Sequence, residues 1–264
     1  MAAERRIVEA DGLRLVAWVC GQGSDVVLIP SHGRGAADYA DLASRLADAG
    51  FRAIALDPRG VGDSTGPVEG VTLHDLAADV ALVIEGLCAG AAHVVGHANG
   101  QRIARCLAAD RPELVDRLVL LACGGKLPLP PEWALYPELY DTALPGARRQ
   151  DVLARLFFAP GADAAVWLDG WWQDARAIQD AANAATPLED WWEGGQAPML
   201  VIQGADDIVA PPGNGHLLRQ ALGSRVDVVD LPGIGHAMLP EQPERIAGLV
   251  VAWLRQAPGI ATQP

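Results

Sequence analysis

The sequence is poor in basic charge, in cysteine and in long apolar runs. Its 264 residues include 20 Lys and Arg against 33 Asp and Glu, a formal net charge of −13. Because such a surface repels phosphate groups, we do not expect a nucleic acid as a partner. No apolar stretch approaches the roughly 20 residues of a membrane-spanning helix, and the first residues lead into an alternating strand pattern rather than a signal peptide. We therefore expect a cytoplasmic protein without a membrane partner, and a homodimer is left open.

Signals of metal and cofactor binding are also lacking. The cysteines stand singly among apolar neighbours, which is typical of buried thiols in a reducing compartment. The sequence has no Cys-x-x-Cys or His-Glu-x-x-His element and no glycine-rich dinucleotide or phosphate loop. We therefore expect no cofactor and no metal site. The four cysteines are Cys20, Cys88, Cys106 and Cys123.

Most of the chain alternates short β-branched runs with longer runs of helical spacing. This alternation is typical of an α/β sheet, and with 50% apolar residues the chain can bury a large core. Thr72 and Asp75 form the ends of a capping-box pattern before one of the helices. The predicted strands cover residues 13–20, 26–30, 52–57, 92–95, 117–123 and 199–203, and the predicted helices residues 36–50, 72–90, 99–110 and 243–255.

Residues 124–196 interrupt the alternation. This interval has many prolines, short helical pieces and no clear strand, and it holds six of the eight tryptophans. We predict a helical cap inserted into a core domain formed by residues 1–123 and 197–264. Its aromatic side chains either pack the insertion onto the core or line a pocket for a small apolar substrate. The pocket candidates are Trp133, Trp167, Trp171 and Trp191.

The most informative segment is Gly96-His97-Ala98-Asn99-Gly100, which follows the predicted strand 92–95. Gly-x-Nu-x-Gly at a strand-to-helix turn is the pattern of a nucleophile elbow, in which the central residue Nu is held exposed above the sheet. Here Nu is Ala98, which has no atom that can attack a substrate. Asn99 lies one residue too late to replace it, but its backbone N–H can contribute to an oxyanion hole.

Together with two later segments, the elbow resembles the α/β-hydrolase-fold proteins. Asp207 follows the predicted strand 199–203 in the segment Gly204-Ala205-Asp206-Asp207, and His236 lies in the glycine-containing loop 231–241. The family order of nucleophile, acid and histidine is thus kept, and residues 57–64 resemble a further turn of the family. The resemblance covers essentially the whole chain. It implies a mainly parallel eight-stranded sheet with helices on both faces and a cap.

The resemblance also implies roles for these residues. Asp207 would accept the Nδ1 proton of His236, and His236 would act as a general base. Asp206 is a competing acid, for which a solvent-facing position is favoured. The second oxyanion N–H would come from the loop after strand 26–30, where His32 and Arg34 are both candidates because the family's His-Gly pattern is offset here. Arg34 and Arg102 are in addition candidates for binding an anion.

The alanine leaves three interpretations open. In the first, the protein is an enzyme without a serine nucleophile, and His236 and Asp207 activate water or abstract a substrate proton. In the second, a serine esterase has been inactivated by an engineered serine-to-alanine change at position 98. In the third, the fold binds a small molecule without catalysis. Ser31 or Ser64 as a displaced nucleophile is a weaker idea, because turn chemistry explains both.

Overall fold

The computed structural model describes residues 3–256 and contains one eight-stranded mixed sheet. Its spatial order is β1-β2-β4-β3-β5-β6-β7-β8; β2 pairs antiparallel with β1 and β4, and the other five pairs are parallel. The sheet predicted from the resemblance is therefore confirmed. The strands are β1 (Glu4–Ala10), β2 (Leu13–Gly21), β3 (Ser24–Ile29), β4 (Phe51–Asp57), β5 (Ala92–His97), β6 (Val115–Leu121), β7 (Met199–Gly204) and β8 (Val226–Leu231).

Helices cover both faces of the sheet, as a parallel sheet requires. Successive residues of β5 show this, because Val94 belongs to the apolar cluster under α2 and α3, whereas Val95 belongs to the cluster under α1 and α9. The helices are α1 (Ala40–Asp48), α2 (Leu73–Leu87), α3 (Asn99–Asp110), α4 (Gly146–Phe157), α5 (Gln173–Ala185), α6 (Leu188–Trp191), α7 (Gly213–Leu222), α8 (Met238–Glu241) and α9 (Pro243–Leu254). Short 3₁₀ helices occur at Ala36–Tyr39, Pro112–Leu114, Pro131–Tyr140, Ala164–Trp167 and Gly223–Arg225.

The predicted elements recur with shifted ends. The predicted helix 36–50 is divided into a 3₁₀ turn and α1, and the predicted strand 117–123 ends at Leu121 because Ala122 has a positive φ of 51°. The capping box before α2 is present: the Thr72 side chain accepts from the Asp75 backbone, and the Asp75 carboxylate accepts from the Thr72 N–H at 2.8 Å.

Between β6 and β7 the described residues form helices and no strand. This segment has its own apolar cluster, in which Tyr136, Leu153 and Phe157 are buried together with Trp167. The cap boundaries at residues 124 and 196 stay a prediction. Within residues 3–256, none of the helices combines the length and apolar character needed to cross a bilayer.

Candidate active site

Ala98 occupies a strained turn between β5 and α3. Its φ of 50° and ψ of −108° lie in a region that non-glycine residues rarely adopt. Both flanking glycines are needed for close packing: a Cβ on Gly96 would collide with the backbone of Gly100, and a Cβ on Gly100 would collide with the carbonyl oxygen of Ile29. The backbone therefore has the geometry of a nucleophile elbow around a methyl group.

Asp207 and His236 are in direct contact. His236 Nδ1 lies 2.8 Å from Asp207 Oδ2, and both residues are buried. The other carboxylate oxygen, Oδ1, accepts from the backbone N–H groups of Val209 and Ala210 at 2.8 Å each. Since the carboxylate accepts a hydrogen bond from Nδ1–H, Nε2 of a neutral His236 carries a lone pair that can take a proton. Asp206, the competing acid, is exposed, as expected from the sequence.

The elbow residue His97 holds the loop that carries His236. Its Nε2–H donates to the backbone carbonyl of His236 at 2.8 Å, and the two rings lie 5.4 Å apart. His97 is fully buried, and burial together with the nearby His236 lowers its pKa to about 3, so it is neutral at pH 7. Sequence reasoning missed this contact, because the pattern Gly-x-Nu-x-Gly leaves the x residue unspecified.

Two of the three predicted oxyanion residues, His32 and Asn99, lie at the site. Both line the cavity beside Ala98, and among residues 3–256 neither backbone N–H has a hydrogen-bond acceptor. The backbone N–H of Arg34 instead donates to the carbonyl of Ser31 at 3.1 Å, inside a turn. The alternative that Arg34 supplies the oxyanion N–H is therefore wrong.

The Arg34 side chain joins the cap segment to the core. It is 3% exposed, forms an ion pair with Asp38 at 2.5 Å and donates to the Asp169 carbonyl at 2.6 Å. Its guanidinium contacts the rings of Trp167 and Trp171, at 4.8 and 4.6 Å from their centroids. With these partners, Arg34 is not available to bind an anionic substrate.

The cavity at Ala98 and His236 has a volume of about 380 Å³. Its aromatic wall consists of Trp133, Tyr136, Phe157 and Trp171. Of the four predicted tryptophans, Trp133 and Trp171 are thus at the cavity. Trp167 and Trp191 are not among its lining residues: Trp167 packs on Arg34, and Trp191 is buried against the guanidinium of Arg105, 4.6 Å from its ring centroid.

Other lining residues of the cavity are polar. It includes Asn99 and Arg102 from α3 and Asp180 and Asn183 from α5. The imidazole of His32 connects two residues of the cap segment. Its Nδ1 lies 2.6 Å from the Tyr136 hydroxyl, and its Nε2 lies 3.1 Å from the Asp180 carboxylate. Asp180 and Asn183 were not predicted, because nothing in the spacing of α5 distinguishes a cavity-facing polar residue from a solvated one.

The two serines considered as displaced nucleophiles differ in position. Ser64 is buried away from the cavity, where its Oγ accepts from the Val16 N–H at 2.9 Å. Ser31 lines the cavity, but within the described residues it has no hydrogen bond to His236.

A group of possible metal ligands lies outside this cavity. The ligand atoms of His74, Cys106 and Asp110 lie within 4.8 Å of one another. His74 Nδ1 is hydrogen-bonded to Asp110 at 2.7 Å, and burial raises the pKa of the Cys106 thiol. His74, the thiol and the carboxylate thus satisfy one another without an ion, and none of the three belongs to the cavity lining.

Fold and site together define an α/β-hydrolase, and comparison with known proteins agrees. The model of the α/β hydrolase fold matches residues 26–159. BpoC of Mycobacterium tuberculosis, whose name assigns it provisionally to the non-heme bromoperoxidases, is 32% identical over 86% of this chain and 92% of its own. The chain belongs to the α/β-hydrolase family.

Two further comparisons concern one relative in sequence and one solved structure of the same fold. The non-heme chloroperoxidase of Streptomyces lividans is 28% identical over 78% of this chain and 82% of its own. The structure of a thermophilic esterase from Thermogutta terrifontis superposes with a TM-score of 0.79 over 96% of this chain and 98% of that one, at 20% identity. Relatives thus include named peroxidases, while the esterase shares the fold.

Proposed function

We propose that the protein is a hydrolase-like enzyme for a small apolar substrate with a carbonyl group, such as an ester or lactone, and that it works without a serine nucleophile. The observation that carries the proposal is the hydrogen bond between His236 and Asp207 beside Ala98, at the wall of an aromatic cavity. A receptor without catalysis has no need for a buried, oriented imidazole–carboxylate pair.

In this mechanism a water molecule takes the role of the serine hydroxyl. His236 Nε2 removes a proton from the water while its oxygen bonds to the carbonyl carbon, and the carbonyl π electrons move to the oxygen. The N–H groups of His32 and Asn99 stabilise that oxyanion. As the carbonyl re-forms, the bond to the leaving group breaks and the imidazolium returns its proton to the leaving oxygen. Asp207 stabilises the imidazolium throughout.

An inactivated serine esterase is the second candidate, and the backbone at Ala98 favours it. A φ of 50° is costly for alanine, yet it is the conformation that presents a nucleophile above the sheet. A serine at this position would complete a triad with His236 and Asp207. In that case the chain keeps the residual catalysis of a triad without its nucleophile, a loss on the order of 10⁶ in turnover.

Turnover of p-nitrophenyl butyrate separates the two candidates. We expect the unaltered chain to exceed buffer hydrolysis and His236→Ala to lower its rate by roughly 10²–10⁴, the range of general-base catalysis. His216→Ala is the matched control, since its 2.7 Å pair with Asp230 is exposed and lies outside the cavity. Equal rates for the unaltered chain and His236→Ala would contradict the proposal.

The Ala98→Ser variant completes the experiment. If the second candidate is right, the variant gains rapid hydrolysis with an initial burst of p-nitrophenolate, because an acyl-enzyme forms. A further His236→Ala change abolishes both. If the site is adapted to water as its nucleophile, Ala98→Ser produces no burst and does not raise the rate.

A further inference from the structure

Arg102 is a cation at the cavity wall without a carboxylate partner. Within the described residues its hydrogen bond goes from Nη1 to Asn183 Oδ1, at 2.9 Å, and it has no ion pair. Its guanidinium lies 5.3 Å from the centroid of the Trp191 ring. This cation–π contact stabilises the positive charge, but it provides no acceptor for the N–H groups in the plane of the guanidinium. The other N–H groups of Arg102 therefore remain available at the cavity.

The neighbouring Arg105 shows what a purely structural arginine looks like here. It is fully buried and also lacks a carboxylate, but it donates to the carbonyls of Trp192 and Gly124 at 3.1 and 2.8 Å and to the side chain of Gln101. Arg105 does not line the cavity. Its N–H groups are mostly satisfied by protein oxygens, whereas those of Arg102 are not.

Arg102 also determines the direction of a chain of amides along the same wall. Because a guanidinium only donates, the oxygen of Asn183 faces Arg102. The Asn183 amide nitrogen then donates to Asn99 Oδ1 at 2.7 Å and to the Gln179 carbonyl at 2.7 Å. Asn99 has thereby used its oxygen, and its Nδ2 is buried without an acceptor in the described structure. A buried donor without an acceptor is costly.

From this surplus of donors we infer that the substrate carries a carboxylate, which binds Arg102 at the Asn99 side of the cavity. The inference rests on the proposed function, since it concerns the substrate of that same site. A carboxylate supplies the hydrogen-bond acceptors that the free N–H groups lack and the ion-pair partner that Arg102 lacks. A single guanidinium balances one negative charge, and Asp180 at the same cavity repels a second, so a carboxylate fits better than a phosphate dianion.

Arg102, Ala98 and the aromatic residues line the same cavity, so one small molecule can contact all of them. The apolar part of the substrate lies against the aromatic wall of Trp133 and Trp171.

Calorimetric titration with phenylacetate and phenylacetamide at pH 7.5 tests the inference. The two probes have the same shape, but only phenylacetate is charged. We expect phenylacetate to bind more tightly, and Arg102→Gln to weaken it roughly 10- to 100-fold, as expected for a charge-assisted hydrogen bond. Phenylacetamide should keep its affinity in this variant, which also shows that the cavity is intact.

The controls distinguish specific recognition from general charge. Arg155→Gln removes the same charge from an exposed position on α4 and should leave phenylacetate binding unchanged. Arg102→Lys should recover only part of the affinity, because an ammonium lacks the two-pronged geometry. Inorganic phosphate should compete poorly. Equal affinities for the two probes, or equal losses in Arg102→Gln and Arg155→Gln, would overturn the inference.

Failure of this inference is separable from failure of the proposed function. Phenylacetate binding does not require catalysis, so its dependence on Arg102 is measured independently of turnover. If phenylacetate binds through Arg102 but p-nitrophenyl butyrate is not hydrolysed, the binding inference stands and the catalytic proposal fails. If hydrolysis depends on His236 but the protein shows no preference for the charged probe, the inferred substrate carboxylate is overturned and the catalytic proposal stands.

Discussion

At the scale of single residues, Ala98 combines a strained backbone with a side chain that cannot react. Its positive φ of 50° costs free energy that glycine would not lose. In functional sites, strained backbone of this kind presents a reactive side chain. Here the same strained backbone carries a methyl group. The strain is thus a property of the elbow rather than of its central side chain.

We therefore expect Ala98→Gly to leave the free energy of unfolding unchanged or to raise it slightly. The matched control is Ala78→Gly, at an exposed position within α2, which should lower the free energy of unfolding by about 1 kcal/mol. Urea titration of both variants measures the difference. Equal destabilisation by the two changes would mean that Ala98 is not strained in solution.

At the scale of elements, the cap segment contacts the core through a buried arginine whose ion-pair partner lies within the core. Arg34, in the loop after β3, contacts Asp38 as well as two tryptophans of the cap segment. Removing one member of a buried pair leaves an uncompensated charge, which is worse than removing both. The contact between loop and cap therefore depends on the pair as a unit.

Arg34→Leu is accordingly expected to lower the free energy of unfolding by about 3–5 kcal/mol, because the Asp38 side chain stays buried without its partner. The double variant Arg34→Leu/Asp38→Leu should recover much of this loss. Chemical denaturation of the two single variants and the double variant gives the coupling free energy. Additive losses would show that the two residues act independently.

The same elements show how far sequence reasoning reaches. Strands β2 to β7 follow from short β-branched runs, α3 follows from the helix expected after the elbow, and the pairing of Asp207 with His236 follows from family order. The internal structure of the cap segment could not be predicted in this way. Its 3₁₀ helices and loops have no regular hydrophobic period, so the directions of the Trp167 and Trp171 side chains do not follow from the sequence. Whether the Arg34 N–H is free likewise depends on a turn with Ser31 that composition does not encode.

At the scale of the whole molecule, the buried His97 couples the active site to global stability. It is the last residue of β5 and contacts the His236 loop, and burial lowers its pKa to about 3. The unfolded chain protonates this residue near pH 6.5, whereas the folded chain does not. The unfolded state thus binds more protons between about pH 3 and 6.5, so stability falls as the pH falls through this window.

His97→Gln should remove this part of the acid sensitivity while keeping a donor for the His236 carbonyl. Between pH 7.5 and 5.5 the unaltered chain should lose about 1 kcal/mol more of its free energy of unfolding than the variant does.

His74 contributes a pH dependence of stability with the opposite sign. Its hydrogen bond with Asp110 raises its pKa, so its contribution is present below pH 6.5 and is lost as the pH rises. His74→Gln should therefore lose stability relative to the unaltered chain on acidification. Urea titrations at the two pH values measure both differences, and parallel pH dependence of His97→Gln and the unaltered chain would mean that His97 is not held neutral in the folded protein.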